Sequence, residues 1–348
     1  MSERNVEIVA DTPERAAARP TMSDVARAAG VSLKTVSRVV NDEPGVRLDT
    51  AHRVQEAIQT LGFRRNDAAR ALRSGQVSRT LGLVIEDISN PFYSGIMRGV
   101  EQVAREHGRL LIAGSSDETP ERERELVLAL CERRVDGLII VPASNDHAYL
   151  LPEMRLGVHV VFLDRPPVGI TADTVLLDNQ GGADAATEHL VAQGHRRVAL
   201  VGDTPTLFTA SERLAGYRRA LERHGLPFDE QLVRLGLHDA DAAARAAAGL
   251  LALPDPPTAI FAANNRNTIG ALRAIAAVER TVALVGFDDI ELAELLAVPV
   301  TVVAGSPLDL GEQAANLLIE RLQGSQAPHR TIVLPTTLVP RGSGEVWP

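Results

Sequence analysis

From Thr80 onward, short apolar runs alternate with longer amphipathic segments. The runs do not alternate apolar and polar residues, so they predict strands that are buried on both faces of a parallel sheet. The segments between them repeat their apolar residues at helical spacing. The predicted strands are 81–85, 110–114, 137–141 and 158–164, and the predicted helices are 93–107 and 121–134.

The same alternation begins again after the polar segment 178–182. Strands that alternate with helices predict an α/β fold. We therefore expect a body of two doubly wound parallel-sheet lobes with a cleft between them, and such sheets bind ligands at the carboxyl ends of their strands. In the second lobe the predicted strands are 198–202, 259–262 and 281–287, and the predicted helices are 183–193, 211–224, 241–251 and 267–278.

Residues 22–41 carry another pattern, which predicts a small all-α helix-turn-helix headpiece. Gly30 supplies the turn between two helices because it tolerates positive φ, and Ser32 is placed to cap the second helix. In such a unit the second helix lies in the major groove of DNA with its first residues at the base edges. The apolar residues at helical spacing that would share one small core are Val25, Ala29, Val36 and Val40.

A third helix and a basic segment follow. The alternative for residues 22–41 is a plain helical hairpin inside a larger domain, and these two features argue against it. Gly62 would end the third helix, and the basic segment 64–75 precedes the first strand of the body. The inner face of the third helix carries Val54, Ala57, Ile58 and Leu61.

The charge of the chain is unevenly distributed. The net charge of −9 over 348 residues argues against a generally basic nucleic-acid binder. Residues 21–78, however, carry nine Lys and Arg against six Asp and Glu, a net charge of +3, while residues 1–20 carry −1 and the remainder −11. A basic head on an acidic body indicates that only the head meets phosphate, and dimerisation would gather more contacts.

Several classes of protein are excluded by features that the sequence lacks. Residues 1–20 have no apolar core of a secretory signal, so we expect a disordered tail. No run of about eighteen apolar residues occurs, so no membrane partner is expected. The single Cys131 excludes an intrachain disulfide and fits a reducing cytoplasm, where we place the protein in association with the nucleoid. We find no nucleophile motif, phosphate loop or metal-spaced His/Cys cluster, so we expect no enzyme, no cofactor and no metal.

The stretch 21–72 resembles the DNA-binding headpiece and hinge of the lac repressor family of bacterial transcription regulators. The match is nearly continuous from Asp24-Val25-Ala26 through 35–41 to the hinge. In the body, Asn90-Pro91-Phe92, Leu163-Asp164-Arg165, 213–217 and Gly286-Phe287-Asp288 also resemble the family. The resemblance extends from Thr21 to about Pro340, nearly the whole chain.

The resemblance implies a body like that of periplasmic sugar-binding proteins, in which the chain crosses between lobes three times. We expect the crossings near Asp178, Ser306 and Pro335, with the helix 310–322 returning to the first lobe. The expected organisation is a tail at 1–20, a helix-turn-helix domain at 21–64, a hinge at 65–78, and a body at 79–345. Its first lobe would comprise 79–178 and 307–335, and its second lobe 179–305 and 336–345.

The resemblance also implies which residues meet DNA. Leu33, Lys34 and Arg38 match the family's base-reading positions. Residues of the hinge, including Asn66, resemble a short helix that enters the minor groove, with Leu72 as its apolar wedge. The alternative for Leu72 is packing on the following domain. The residues expected to contact or position the phosphate backbone are Thr21, Ser32, Thr35, Ser37 and Asn41.

Polar residues at the strand ends are the candidates for the cleft. Asp164 and Asp288 each follow a strand, and paired carboxylates suit polyhydroxylated ligands. We expect Arg213 to begin a helix, where a ligand would compensate for its unfavourable position, and Asp289 to cap the next helix. The other candidates are Asn90, Phe92, Tyr93, Arg165, Phe261 and Asn265, and for Arg165, Asn179 and Phe261 a structural role is an equal alternative.

Two departures from the family lie near the cleft: Asn265 stands where most members carry Asp, and Gly305 lies where many carry Gln. We interpret the effector as a small neutral polar metabolite, with a sugar as the favoured candidate. The sequence thus indicates a regulator, in the first place a repressor, that binds palindromic operator DNA as a homodimer. The alternatives are an activator, an effector-independent regulator, a solute-binding protein, which would need a signal peptide, or an enzyme.

Overall fold

The computed structural model describes residues 20–41, 43–64 and 78–348 and divides the chain into two compact units, the second of which begins at Ser78. In the first unit, three helices enclose a small apolar core. The core is centred on Val25, Val36 and Val54, none of which is exposed, with Val40, Ile58 and Leu61 packed against it. The helices are α1 (Met22–Ala29), α2 (Leu33–Val40) and α3 (Leu48–Leu61).

The ends of these helices are set by local side chains and by two glycines. Thr21 and Asp24 form a reciprocal capping box at the start of α1, and the Ser32 side chain accepts from the Thr35 N–H at the start of α2. Gly30 ends α1 and Gly62 ends α3, both in the left-handed region at φ 64° and 63°. The turn and stop positions expected from the sequence are therefore confirmed.

The second unit contains two six-stranded sheets, and helices lie against both. In the first sheet the order is β2-β1-β3-β4-β5-β11 and all pairs are parallel. In the second the order is β7-β6-β8-β9-β10-β12, parallel except for the pair β10 and β12. The strands are β1 (Thr80–Ile85), β2 (Leu110–Ser115), β3 (Gly137–Ile140), β4 (His159–Leu163), β5 (Asp173–Leu177), β6 (Val198–Val201), β7 (Val233–Arg234), β8 (Ala259–Ala262), β9 (Ala283–Phe287), β10 (Thr301–Ala304), β11 (Thr331–Leu334) and β12 (Thr337–Val339).

The helices of the second unit connect these strands. They are α4 (Pro91–Glu106), α5 (Pro120–Glu132), α6 (Leu151–Arg155), α7 (Asn179–Ala192), α8 (Phe208–Arg223), α9 (Ala240–Leu251), α10 (Asn265–Ile275) and α11 (Pro307–Leu322). Each sheet with its helices forms one lobe, and the two doubly wound α/β lobes expected from the sequence are confirmed. No helix within residues 20–41, 43–64 and 78–348 is long and apolar enough to span a bilayer.

The chain passes between the two lobes at three places. It leaves the first sheet after β5 and enters α7 of the second lobe at Asp178, returns between β10 and α11, and leaves again between β11 and β12. At the second passage an added Cβ on Gly305 would lie 2.6 Å from Leu177 Cδ2, so this glycine lets the two crossing segments run close together. The absence of a side chain at Gly305 thus has a packing reason.

The sequence placed several helix starts too late. Helix α7 begins at Asn179 rather than 183, and α10 at Asn265 rather than 267, because Asp178 and Asn264 cap them ahead of the first periodic apolar residue. Helix α8 begins at Phe208 rather than 211. The strands β5, β7, β10, β11 and β12 were not expected from the apolar runs.

Candidate functional site

The candidate DNA-binding face lies on α2 and is exposed at its first residues. Leu33 is 52 % exposed and Lys34 is also exposed, whereas Val36 is fully buried against α1 and α3. Neither Leu33 nor Lys34 is needed for the packing of the headpiece core. These are the side chains that a major groove would receive first.

The other residues predicted for this face are held by short contacts within the unit. Ser32 Oγ and Thr35 Oγ1 are 2.9 Å apart, and Asn41 Nδ2 donates to Ser37 Oγ at 3.3 Å. The half-exposed Arg38 guanidinium lies 3.7 Å from the Glu43 carboxylate. These contacts hold the polar residues of α2 in place without burying them.

Thr21 precedes α1 as its N-cap and is thus not part of α2. Its hydroxyl donates to Asp24 Oδ2 at 2.7 Å, so it is engaged in the cap of α1. The hinge residues predicted to meet DNA, Asn66 and Leu72, lie outside the described residues, as does the predicted tail apart from Pro20.

The candidate ligand site is a cavity between the two lobes of the body. It lies at the carboxyl ends of the strands of both sheets, and its volume is about 50 Å³. Ligand pockets are usually about 300–1,000 Å³, so the cavity in this arrangement of the lobes is smaller than a typical ligand pocket. The predicted residues that line the cavity are Asn90, Phe92, Tyr93, Asp164, Arg165, Arg213, Asn265 and Asp288.

The predicted contact of Phe261 with the ligand is not supported by the structure. Phe261 is fully buried in the core of the second lobe, on β8, and it does not line the cavity. The sequence placed it near a strand end, but both faces of β8 are buried, and the residues that line the cavity here, Ala263 and Asn264, follow the strand. Of the two roles left open for Phe261, the structure shows the packing role.

Asp164 and Asp288 occupy equivalent positions in the two lobes. Asp164 follows β4 and Asp288 follows β9, the fourth strands of the two sheets, and both have a left-handed backbone, at φ 66° and 62°. Each backbone N–H donates to the adjacent strand at 2.8 Å, to the Val175 carbonyl in one lobe and to the Val303 carbonyl in the other. A left-handed aspartate is uncommon, and such residues concentrate at functional sites.

The two carboxylates are buried but incompletely bonded. Asp164 is 2 % exposed and Asp288 is 7 % exposed. Among the described residues, neither Oδ1 atom has a hydrogen-bond partner. A buried acceptor without a partner is costly in a folded protein, so each oxygen is available to a donor on a ligand.

Arg213 lies on the side of the cavity formed by the second lobe. Its Nε donates to Asn179 Oδ1 at 2.8 Å and its Nη1 to the Ala263 carbonyl at 2.6 Å, while Nη1 lies 3.6 Å from Asp288 Oδ2. The guanidinium also stacks 3.8 Å above the Phe287 ring. Because α8 begins at Phe208, Arg213 is not in the first turn of its helix, and the dipole argument made from the sequence was wrong. Its contacts instead fix one side of the cavity.

Arg165 is held by the first lobe. Two of its nitrogens donate to the Glu118 carboxylate at 2.8 and 2.7 Å, and one of these also donates to the Pro142 carbonyl at 2.9 Å. The second of them, Nη2, also donates to the Tyr93 hydroxyl at 3.5 Å. These contacts favour a structural role, in which Arg165 orients the neighbouring side chains of the lining.

Asp289, next to the cavity residue Asp288, does not cap a following helix as expected. Both of its oxygens accept from the Arg341 guanidinium at 2.7 Å. The next helical element is a short 3-10 turn that begins at Ala293. The expectation was wrong because a residue near the C-terminus of the chain returns to this point, a contact without any local signal.

Contacts between the lobes close one side of the cavity. The Arg266 guanidinium on α10 lies 3.2 Å from Glu86 Oε1 and 2.5 Å from Asp87 Oδ2, both of which follow β1 in the other lobe. Beside it, Asn265 Nδ2 donates to Asn90 Oδ1 at 2.7 Å. We call these contacts the latch. Sequence reasoning missed Arg266, Glu86 and Asp87, although the two acids stand directly after an apolar run.

The electrostatics of the cavity disfavour charged carboxylates. Burial raises the pKa of Glu86 to about 7, with the nearby Glu118 carboxylate as the second cause. Burial likewise raises the pKa of Asp288 to about 6 against the opposing effect of Arg213. The pKa values of Asp164 and Asp203 are raised too, again mainly by burial. Burial thus favours the neutral form of these carboxyl groups.

Comparisons with known proteins agree with this architecture. The profile described as "Bacterial regulatory proteins, lacI family" matches residues 21–66, and that of a "Periplasmic binding protein-like domain" matches residues 187–344. The HTH-type transcriptional regulator GalR of Salmonella typhimurium (strain LT2) is 33% identical over 327 residues, which cover 93% of this chain and 95% of GalR.

Two solved structures are similar over both units. The transcriptional regulator CelR in complex with cellobiose is 33% identical, with a TM-score of 0.69 over 93% of this chain and 100% of CelR. The lac repressor dimer bound to operator and the anti-inducer ONPF is 28% identical, with a TM-score of 0.83 over 94% of this chain and 100% of the repressor. With these relatives spanning nearly its whole length, the chain belongs to the lacI family of bacterial regulatory proteins and is a DNA-binding transcriptional regulator, not an enzyme.

Proposed function

We propose that the protein is a repressor that binds a palindromic operator as a homodimer in the cytoplasm, and that a small polyhydroxylated ligand, of the sugar class, controls its affinity for DNA. The observation that carries this proposal is the pair Asp164 and Asp288. One carboxylate comes from each lobe, both residues line the cavity, and among the described residues each has one buried acceptor oxygen without a partner. Vicinal hydroxyls of a sugar are donors that such acceptors bind.

The closed cavity supports a mechanism for control. Because its volume of about 50 Å³ is too small for a sugar, binding must favour an arrangement of the lobes different from the one seen here. A ligand changes an equilibrium only as far as its affinity for the two arrangements differs. A ligand that contacts both Asp164 and Asp288 has such a difference, since the distance between the lobes sets how many carboxylates it reaches.

A dimer is supported by the modest charge of the head and by the relatives. Residues 21–78 carry a net charge of only +3, so one copy offers few phosphate contacts. Two copies double them and read two half-sites of a palindrome. The lac repressor structure described above is a dimer on its operator, and CelR was solved with cellobiose, which is a sugar.

The experiment has two steps. Purified full-length protein first selects its operator from sheared genomic DNA of its source organism, and operator affinity is then measured by fluorescence anisotropy with glucose, galactose, ribose and cellobiose. We expect at least one sugar to change operator affinity by roughly 5- to 150-fold. Asp288→Asn should remove this response and keep operator binding in the absence of sugar.

The matched control is Asp289→Asn, which removes a carboxylate one residue away that binds Arg341 and does not line the cavity. It should respond to the sugar like the parent protein. Loss of the response in both variants, or operator binding that none of the sugars changes, would contradict the proposed control.

A further inference from the structure

Carboxylates outnumber cationic side chains around the cavity. Of the described residues, four acids line it and two more bind its arginines, while three guanidiniums oppose them. The imidazole of His238, 59 % exposed, also belongs to the lining and lies 2.7 Å from Asp203. The six acids are Glu86, Asp87, Glu118, Asp164, Asp203 and Asp288, and the arginines are Arg165, Arg213 and Arg266.

The three guanidiniums already contact carboxylates or carbonyls of the protein, although among the described residues Arg165 Nε has no hydrogen-bond partner and lies 3.7 Å from Asp164 Oδ2. Arg165 makes two hydrogen bonds to Glu118, and Arg266 contacts Glu86 and Asp87. Arg213 donates to Asn179 and to the Ala263 carbonyl and only approaches Asp288, at 3.6 Å. An anionic ligand would therefore have to displace a carboxylate from its arginine, whereas a cationic ligand would meet carboxylates that need a partner.

The unpartnered carboxylate oxygens point to the same kind of ligand. Asp164 Oδ1 and Asp288 Oδ1 are buried acceptors without partners, one from each lobe, and the charge of Asp164 raises the pKa of Asp288. Two carboxylates that repel one another across a cavity are both stabilised by one cation between them. An ammonium group fits this position, because it carries three donors and no acceptor.

We infer that the ligand is a sugar with a free amino group, bound with its ammonium between Asp164 and Asp288. This inference rests on the proposed function and refines it, because the sequence alone suggested a neutral metabolite. The hydroxyls of the same ligand bind the remaining acceptors and the amides Asn90 and Asn265 once the latch opens. A phosphorylated sugar or a uronic acid is rejected by the surplus of carboxylates.

Isothermal titration calorimetry of the full-length protein tests the inference with sugars that differ in one group. The series is glucose, glucosamine, N-acetylglucosamine and glucuronate, repeated on the galactose and mannose frames. On at least one frame we expect the free amine to bind at least about tenfold more tightly than the neutral parent and its N-acetyl form, because charged hydrogen bonds are the stronger ones. The uronate should not bind.

A proton readout separates a charged contact from a better fit. A bound ammonium lowers the pKa of Asp288 and Glu86, so at pH 6.5 the amine should release protons, which shows as a binding enthalpy that depends on the buffer. Groups that face these two acids are Tyr93, Glu118, Asp164, Arg165, Arg213 and Arg266. In the double variant Asp164→Asn, Asp288→Asn, the preference for the amine over the neutral parent should vanish, while Asp289→Asn should retain it.

Failure of this inference can be distinguished from failure of the proposed function. A neutral sugar that binds as tightly as its amine and still changes operator affinity overturns the inference and leaves the proposed function standing. If no sugar of any series binds or changes operator affinity, the proposed control by a sugar fails and the inference fails with it. Tight binding of a uronate would overturn the inference by itself.

Discussion

Arg266 Nη2 lies 2.5 Å from Asp87 Oδ2, and this contact joins a helix of one lobe to a strand end of the other. The two residues are 179 positions apart in the chain. The same guanidinium reaches Glu86, so one side chain of the second lobe holds two carboxylates of the first. Any motion that separates the two lobes therefore has to break the latch.

Arg266→Ala should open the cavity more often and tighten the binding of the ligand. The binding-competent state is then populated before the ligand arrives, and the apparent dissociation constant falls with that population. Hydrogen exchange measured by mass spectrometry should become faster in residues 86–92. The control Arg273→Ala removes a charge from the same helix, one that pairs at 2.6 Å with Asp241 within the second lobe, and should leave exchange at 86–92 unchanged. Equal acceleration in both variants would argue against the latch.

Glu86→Gln should stabilise the body at pH 8 and have little effect at pH 5. Burial raises the pKa of Glu86 from its ordinary value of 4.5 to about 7, so the folded state binds more protons than the unfolded state between these values. The free energy of unfolding contributed by this group is full at low pH and falls as the pH rises through 7. At about 1.4 kcal/mol per pH unit, the variant should gain up to about 3 kcal/mol at pH 8.

Urea denaturation of the full-length parent and variant at pH 5 and pH 8 measures this gain. Other acids, such as Asp173 and Asp184, have lowered pKa values and oppose the trend in the parent protein. They are common to both proteins, so the difference between parent and variant isolates Glu86. A variant less stable than the parent at pH 8 would mean that Glu86 gains more from Arg266 than it loses by burial.

The sequence predicted the parts of the fold that carry local signals. The buried strands are apolar runs, and Asp164 and Asp288 were found because they stand at the ends of such runs, whereas the third aspartate of the cavity, Asp203, was not predicted. Strand β5 was missed because it begins with the polar pair Asp173 and Thr174, and its Asp173 is bonded by Arg321 from α11, 148 residues away. Contacts between residues so far apart in the chain form only when the lobe folds, so no local sequence pattern predicts them.

The same limit applies to the latch and to Phe261. Glu86 and Asp87 follow an apolar run and could have been proposed for the cleft, but nothing near Arg266 indicates that it reaches the other lobe. For Phe261 the exact end of β8 decides whether the side chain lies in the core or at the cavity, and an apolar run does not mark that end to the residue.

Gly99→Ala should destabilise the body, because α4 and α11 are in close contact. A Cβ on Gly99 would lie 2.2 Å from the Leu308 carbonyl oxygen, which is backbone and cannot turn away. We expect a loss of about 1–3 kcal/mol in urea denaturation. The control is Gly249→Ala in α9, where an added Cβ meets nothing within 4 Å and the helix should gain roughly 0.5–1 kcal/mol. A similar effect of both substitutions would show that α4 and α11 adjust their distance freely.

Arg38→Ala should abolish operator binding and leave the body folded and able to bind its ligand. Arg38 lies half-exposed in the last turn of α2, on a headpiece whose core contains none of its atoms, so its removal costs little stability. An arginine that reads a base contributes about 1–3 kcal/mol of binding free energy in favour of the correct base. A dimer contains two copies of the residue, so the loss of binding free energy is doubled. The control Arg27→Ala removes an arginine of α1 that pairs with Asp24 and should retain operator binding, since α1 does not enter the groove. Fluorescence anisotropy on operator and on scrambled DNA distinguishes the two variants. Operator affinity that Arg38→Ala leaves unchanged would remove α2 from the recognition surface.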